Sequence, residues 1–283
     1  MCRLFGSISS AAADLEGHLV SSRCSLLAQS TANPERPQKD GWGVAHYGRA
    51  GEPSVVLSTG AVFKEKGQFS SAVADASGRL VIAHIRAASN PLGLPSSQLL
   101  RPENQQPFTH HGWAFAHNGT LKLPDDLMAD LGKYRRLVRG NNDSEVYFWL
   151  FIKAIDETGS VQDAFPRVQD AILKAWDAAS AARRKKAERP YVGLNCIFSD
   201  GETLYAICKY DGYKPKGTDG WLCPVKPKRP LFEMCYRVAK DGKSLVVASE
   251  RTEPSGDWSP LKDGSMLEAT LGRGLVQLNV GSL

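Results

Sequence analysis

No stretch of the chain carries the roughly 18 consecutive apolar residues that a membrane-spanning helix requires. None of its six cysteines forms a CxxC pair, which removes the common dithiol and zinc-ribbon motifs. No secretory leader is expected either. Arg3 is the one early arginine or lysine, and Asp14 and Glu16 interrupt any apolar segment behind it. Cys2, Cys24, Cys196, Cys208, Cys223 and Cys235 are therefore expected as reduced thiols in a cytoplasmic protein, with no membrane partner. The six histidines (His18, His46, His84, His110, His111, His117) show no metal-ligand spacing, so neither a metal nor a cofactor is expected. Net charge is a mild +5, and the densest basic run, "ARRKKAERP" at 182–190, has no interleaved aromatics to stack bases. It reads as a solvated helix end before Pro190, and no nucleic-acid partner is expected.

What is present describes a globular chain. Of 283 residues, 42% are apolar and 23% charged, enough to bury a sizeable core. With no repeat or low-complexity linker, residues 1–283 are expected to form one domain. "CRLFGSIS", "GWGVAHYG", "PSVVLSTG", "RLVIAHIRA" and "GWAFAHNGTL" read as strands separated by Gly-containing turns. "DLEGHLVSSRCSLLAQS" reads as an amphipathic helix. "DSEVYFWLFIKAIDE" reads as a helix apolar on nearly every side, capped by Asp143 or Ser144 and buried between layers. A further helix or helix pair follows, broken or kinked at Pro166, and then more strands after Pro190. Strands, helices and strands again fit an α+β sandwich of two antiparallel sheets covered by helices.

Cys2 directly follows the initiator methionine. Trimming of Met1 would leave one residue holding both a thiol and the free α-amine, a nucleophile and its base together. Arg86 ends an otherwise apolar strand, either to reach solvent or to capture a carboxylate bidentately. Asn118–Gly119 is either a plain turn or a pair of donors, amide and backbone N–H, for a developing oxyanion. Asp143 either caps its helix or pairs with a substrate ammonium. Thiol-amine, oxyanion pair and two separate charges together fit an amino acid whose side-chain carbonyl faces a nucleophile. Glutamine and γ-glutamyl amides are such ligands.

The ordered set "MCRLFG", "KDGWGV", "AHIRAAS", "ENQQPF", "AHNGTL" and "NDSEVYFWL" resembles the class II glutamine amidotransferases, especially small stand-alone bacterial ones. The resemblance implies an N-terminal nucleophile (Ntn) hydrolase fold, a four-layer αββα sandwich. It implies Cys2 as nucleophile and its freed amine as base, with Asn118 and Gly119 as oxyanion hole. Arg86 would bind the substrate carboxylate, Asp143 its α-amino group, and Ser89 would line the pocket. The implied reaction cleaves the γ-amide through a thioester, releasing glutamate and ammonia. Two positions depart from the family: Ala87 stands where many members have Trp, and Gln106 where a His usually precedes the Pro. Gln106 would keep a hydrogen-bonding role toward substrate without titrating. Three versions stay open: a glutaminase that serves a separate synthase subunit, a free-standing hydrolase of a γ-glutamyl peptide or thiol, and a non-catalytic glutamine-sensing subunit. The loop-rich, basic stretch 209–232 is either a lid or docking surface or an ordinary surface hairpin.

Overall fold

Period-two alternation decides which face each strand side chain takes. In "RLFGSIS" it puts Leu4 and Ile8 on one face and Phe5 on the other. The computed structural model describes all residues except 13, 49–50, 77, 91–92 and 214–231. Cys223 and most of the 209–232 stretch thus lie outside the described residues. Thirteen strands are described: β1 (Arg3–Ser9), β2 (Trp42–Tyr47), β3 (Pro53–Ser58), β4 (Leu80–Ile85), β5 (Phe108–His110), β6 (Trp113–Leu121) and β7 (Tyr191–Ser199), then β8 (Leu204–Cys208), β9 (Met234–Val238), β10 (Ser244–Ala248), β11 (Ser259–Leu261), β12 (Ser265–Gly272) and β13 (Leu275–Ser282). They form a seven-stranded sheet, β11-β9-β10-β1-β4-β2-β3, and a six-stranded sheet, β13-β12-β8-β7-β6-β5. All pairings are antiparallel. β1 lies between β10 and β4, so the N-terminal strand is tied on both sides rather than frayed.

Three apolar layers follow from the alternation. Between the sheets, Leu4, Ile8, Ile82 and Val247 meet Ala114, Ala116, Ile197 and Ala206. A Cβ at Gly6 would come within 2.7 Å of Ile197, so the absent side chain lets the sheets close there. On the outer face of the first sheet, Phe5, Trp42, Val81 and Ile85 pack with Phe69 and Val73 of the helix Lys66–Asp75. On the outer face of the second, Phe115, Leu194 and Phe198 pack with Tyr147, Phe151 and Phe165 of the helices Asp143–Thr158 and Val161–Ala178. The result is the four-layer helix–sheet–sheet–helix sandwich that the resemblance implied.

Local details differ from the sequence reading. The expected helix after Asp14 splits into a helical turn, Gly17–Ser21, and a short helix, Leu26–Gln29, whose cap Ser25 accepts from the Ala28 N–H at 3.2 Å. Ser22 and Ser25 between them accept from the Cys24 and Ala28 N–H groups, favouring local caps over continuation. The long helix is capped by Asn142, whose carboxamide oxygen accepts from Ser144 N, rather than by Asp143 or Ser144. Pro166 sits inside Val161–Ala178 without ending it. Cys24 is disulfide-bonded, which overturns its expected reduced state. No helix among the described residues is long and apolar enough to cross a membrane.

Candidate active site

The register of β1 and β4 pairs Arg3 with Ile85, which brings Cys2 and Arg86 together just beyond the strand ends. Leu4 and Ile8 face the opposite sheet, so Cys2 shares their side. Ala114 and Ala116 do the same on β6, and two residues further that face carries Asn118. Parity on two strands therefore aims the thiol and the carboxamide into one end of the inter-sheet space. A cavity of about 240 Å³ opens there, walled by Cys2, Asn118, Gly119 and Ser89, with Met1 and Arg36 also on its wall. The Cys2 Sγ accepts from the Ala87 N–H at 3.5 Å and lies 3.6 Å from the Ala87 carbonyl. Behind it, Arg3 donates to the Cys2 carbonyl (3.1 Å) and pairs with Glu250 (2.9 Å), a buried clamp on the Cys2 backbone.

The electrostatics match a thiol held away from water. Burial pushes the Cys2 thiol above its ordinary range, while the Met1 α-amine, the Ala87 N–H and Arg86 pull it back. Burial also lowers the pKa of the Met1 α-amine, the amine of the untrimmed chain.

Asn118 and Gly119 sit where β6 leaves regular pairing: the β6–β7 register shifts between Gly119 and Leu121. Gly119 tolerates no Cβ, because one would collide with the Gly193 carbonyl. Gly193 itself is at φ +77°, a backbone state that glycine adopts freely.

Arg86 and Asp143 lie behind the cavity wall rather than on it. The Arg86 guanidinium donates to the Leu99 carbonyl (2.8 Å) and the Asp40 carbonyl (3.4 Å), and burial lowers its pKa. Asp143, in the first turn of its helix, accepts from the Leu121 N–H at 2.7 Å. Burial lifts its carboxyl to about 6, against the opposing pull of Leu121 N–H and Arg86. Gln106 is buried off the wall, its Oε1 accepting from the His117 N–H at 2.6 Å. So the structure brings Cys2, Asn118, Gly119 and Ser89 together, sets Arg86 and Asp143 within electrostatic reach, and gives the Gln106 oxygen a backbone partner.

Sequence reasoning did not single out Arg36, Asp40 or Asn104. Asp40 accepts from the Ala88 N–H (2.8 Å) and so fixes the strip that carries Ser89. Asn104 donates to the Leu99 carbonyl (3.1 Å) and accepts from Asn141 N (2.8 Å), joining the loop that holds Arg86 to the start of the Asp143 helix. Asp40 and Asn104 carried a signal, as both fall inside the quoted motifs "KDGWGV" and "ENQQPF"; Arg36 had none. A larger cavity of about 780 Å³, lined by His46, Arg79 and Glu202 among others, lies at the other end of β1 and contains no cysteine. Among the described residues no group of three or more His, Cys, Asp or Glu is placed to hold a metal.

Comparison with known proteins agrees with the fold. The chain is 30% identical over 212 residues to the "Probable glutamine amidotransferase DUG3" of Saccharomyces cerevisiae, an alignment that covers 66% of this chain and 56% of that protein. It is 34% identical over 139 residues to an uncharacterized protein of Methanocaldococcus jannaschii, covering 47% and 32% respectively. The chain thus spans about half or less of these curated relatives' length. A glutamine aminotransferase class-II domain protein from silicibacter pomeroyi shares the fold, with a TM-score of 0.61 at 19% identity over 98% of both chains. So does the glutamine phosphoribosylpyrophosphate amidotransferase of B. subtilis, with a TM-score of 0.55 at 15% identity over 98% of this chain and 49% of that one. The sequence profile of the class-II glutamine amidotransferases matches residues 1–280, and the chain belongs to that family.

Proposed function

We propose that this chain cleaves the γ-carbonyl amide of glutamine, or of a γ-glutamyl compound, with the Cys2 thiol as nucleophile. The convergence of Cys2, Asn118 and Gly119 on one cavity supports the reading best. In the proposed sequence, Met1 is removed and the freed Cys2 amine takes the thiol proton, directly or through one water. The thiolate attacks the γ-carbonyl, and the oxyanion is received by the Asn118 carboxamide and the Gly119 N–H. The Cys2 ammonium passes its proton to the scissile nitrogen, which leaves as ammonia or an amine, and water then hydrolyses the thioester to glutamate and restores the thiol. Arg86 holds the substrate carboxylate after exchanging its backbone partners for it. Asp143 receives the α-ammonium and Ser89 lines the pocket.

A second reading has one observation in its favour. Arg36 is exposed on the cavity wall beside Met1, a cation free to meet an anionic group beyond the scissile amide. That would suit a γ-glutamyl peptide better than glutamine itself. The test is release of glutamate from glutamine and from γ-glutamyl peptides, with Cys2→Ala as control. Turnover that disappears with Cys2→Ala is expected, and turnover that survives it would overturn the proposal. Preference for a peptide ending in a carboxylate, lost in Arg36→Ala, would select the second reading.

A further inference from the structure

Gln106 has a buried side chain whose oxygen touches neither the cavity nor solvent. The β5–β6 ladder pairs Phe108 with Phe115, and continuing that register by two residues sets Gln106 opposite His117. β5 starts only at Phe108, after Pro107, so regular strand pairing has ended there. The Gln106 Oε1 takes over instead, accepting from the His117 N–H at 2.6 Å, one residue before Asn118. Its own backbone is lodged against β2, where a Cβ at Gly43 would collide with the Gln106 carbonyl. One side chain therefore ties the end of β6 to the other sheet.

The His117 ring secures the same corner from the helix side. It shares the Phe115 face of β6 and packs on Tyr147, with centroids 4.9 Å apart. Its Nε2 faces the Gly193 carbonyl at 3.3 Å, the group against which Gly119 is closely packed. Its Nδ1 lies 2.9 Å from the Ser144 hydroxyl at the start of the Asp143 helix. Burial lowers the ring's pKa to about 4, so it is neutral near pH 7. A carbonyl can only accept, so Nε2 carries the proton and Nδ1 accepts from Ser144.

We propose that Gln106, His117 and Ser144 are positioning residues that hold the Asn118–Gly119 corner in register for the oxyanion. Gln106 fixes the backbone entering the corner, and His117, its tautomer set by Ser144, fixes the Gly193 carbonyl packed against Gly119. None of the three touches the reacting atoms. The proposal rests on the reading of Asn118 and Gly119 as oxyanion donors given above.

The test compares wild type with Gln106→Met, Gln106→Glu and Ser144→Ala, measuring kcat, KM and the rate of Cys2 alkylation by iodoacetamide. Gln106→Met keeps the volume and removes the acceptor. Its kcat should fall about tenfold to a hundredfold, the scale of a small misplacement at a reacting centre. KM and the alkylation rate should stay within about twofold, since pocket and thiol are untouched. Gln106→Glu retains an acceptor oxygen and should recover most of the loss, which a simple packing role would not grant. Ser144→Ala should lower kcat severalfold with the same unchanged KM, and it carries the test if Gln106→Met does not fold. A raised KM at unchanged kcat, or Gln106→Glu as impaired as Gln106→Met, would overturn the proposal. Wild-type inactivity on every γ-glutamyl amide would overturn it together with the proposed function. An active wild type matched by Gln106→Met and Ser144→Ala would overturn the positioning role alone.

Discussion

Asp143 shows how a single residue can be set against the stability of the fold. Its carboxyl is lifted to about 6 by burial, so the folded chain binds that proton more tightly than the unfolded chain does. The sign follows: stability from this group is greatest below the ordinary carboxylate value and is lost as pH rises toward 6. Above that, an ionised buried carboxylate costs about 3 kcal/mol, from roughly two pH units at 1.36 kcal/mol each. Asp143→Asn keeps an acceptor for Leu121 N and should be more stable than wild type at pH 7 by up to that amount. The gap should close near pH 4, as followed by denaturant unfolding at the two pH values. If the carboxylate pairs with a substrate ammonium, the same variant should raise KM severalfold. For the proposed oxyanion pair, Asn118→Ala should cost roughly 3–4 kcal/mol of barrier with the fold retained, measured as kcat against unchanged melting temperature.

At the scale of elements, the corner at the end of β6 is the most constrained feature. Gly119→Ala would drive a methyl group into the Gly193 backbone, which cannot step aside as a flexible side chain would. Activity should be lost and the melting temperature should drop by several degrees, read by calorimetry alongside turnover. Much of this region was legible in the sequence. "AHNGTL" announced the strand that carries Asn118 and Gly119, and the apolar run "VYFWLFI" announced a buried helix. The cap at Asn142 was missed because Asn, Asp and Ser stand in a row there and all three residue types cap helices. The helix Lys66–Asp75 was missed because only Phe69, Ala72, Val73 and Ala76 mark its inner face, in a short and otherwise polar segment. Gln106 was read as a pocket residue from the resemblance alone, at the position where the family usually has a His. Its register opposite His117 depends on a β5–β6 pairing that no local pattern announces.

At the scale of the molecule, the sandwich explains why residues 116 positions apart meet. Antiparallel pairing fixes β1 centrally in one sheet, β6 lies in the other, and side-chain parity aims Cys2 and Asn118 into the shared space. The two sheets are thus both core and frame of the candidate site, and the layer order was readable from the succession of strand and helix patterns. The central claim is that Cys2, with its own amine freed, attacks the substrate. Tandem mass spectrometry of active protein, inactivated with diazo-oxo-norleucine, tests it most directly. The account predicts a chain that starts at Cys2 and carries one adduct on that sulfur; fully active protein that keeps Met1, or an adduct on any other residue, would contradict it.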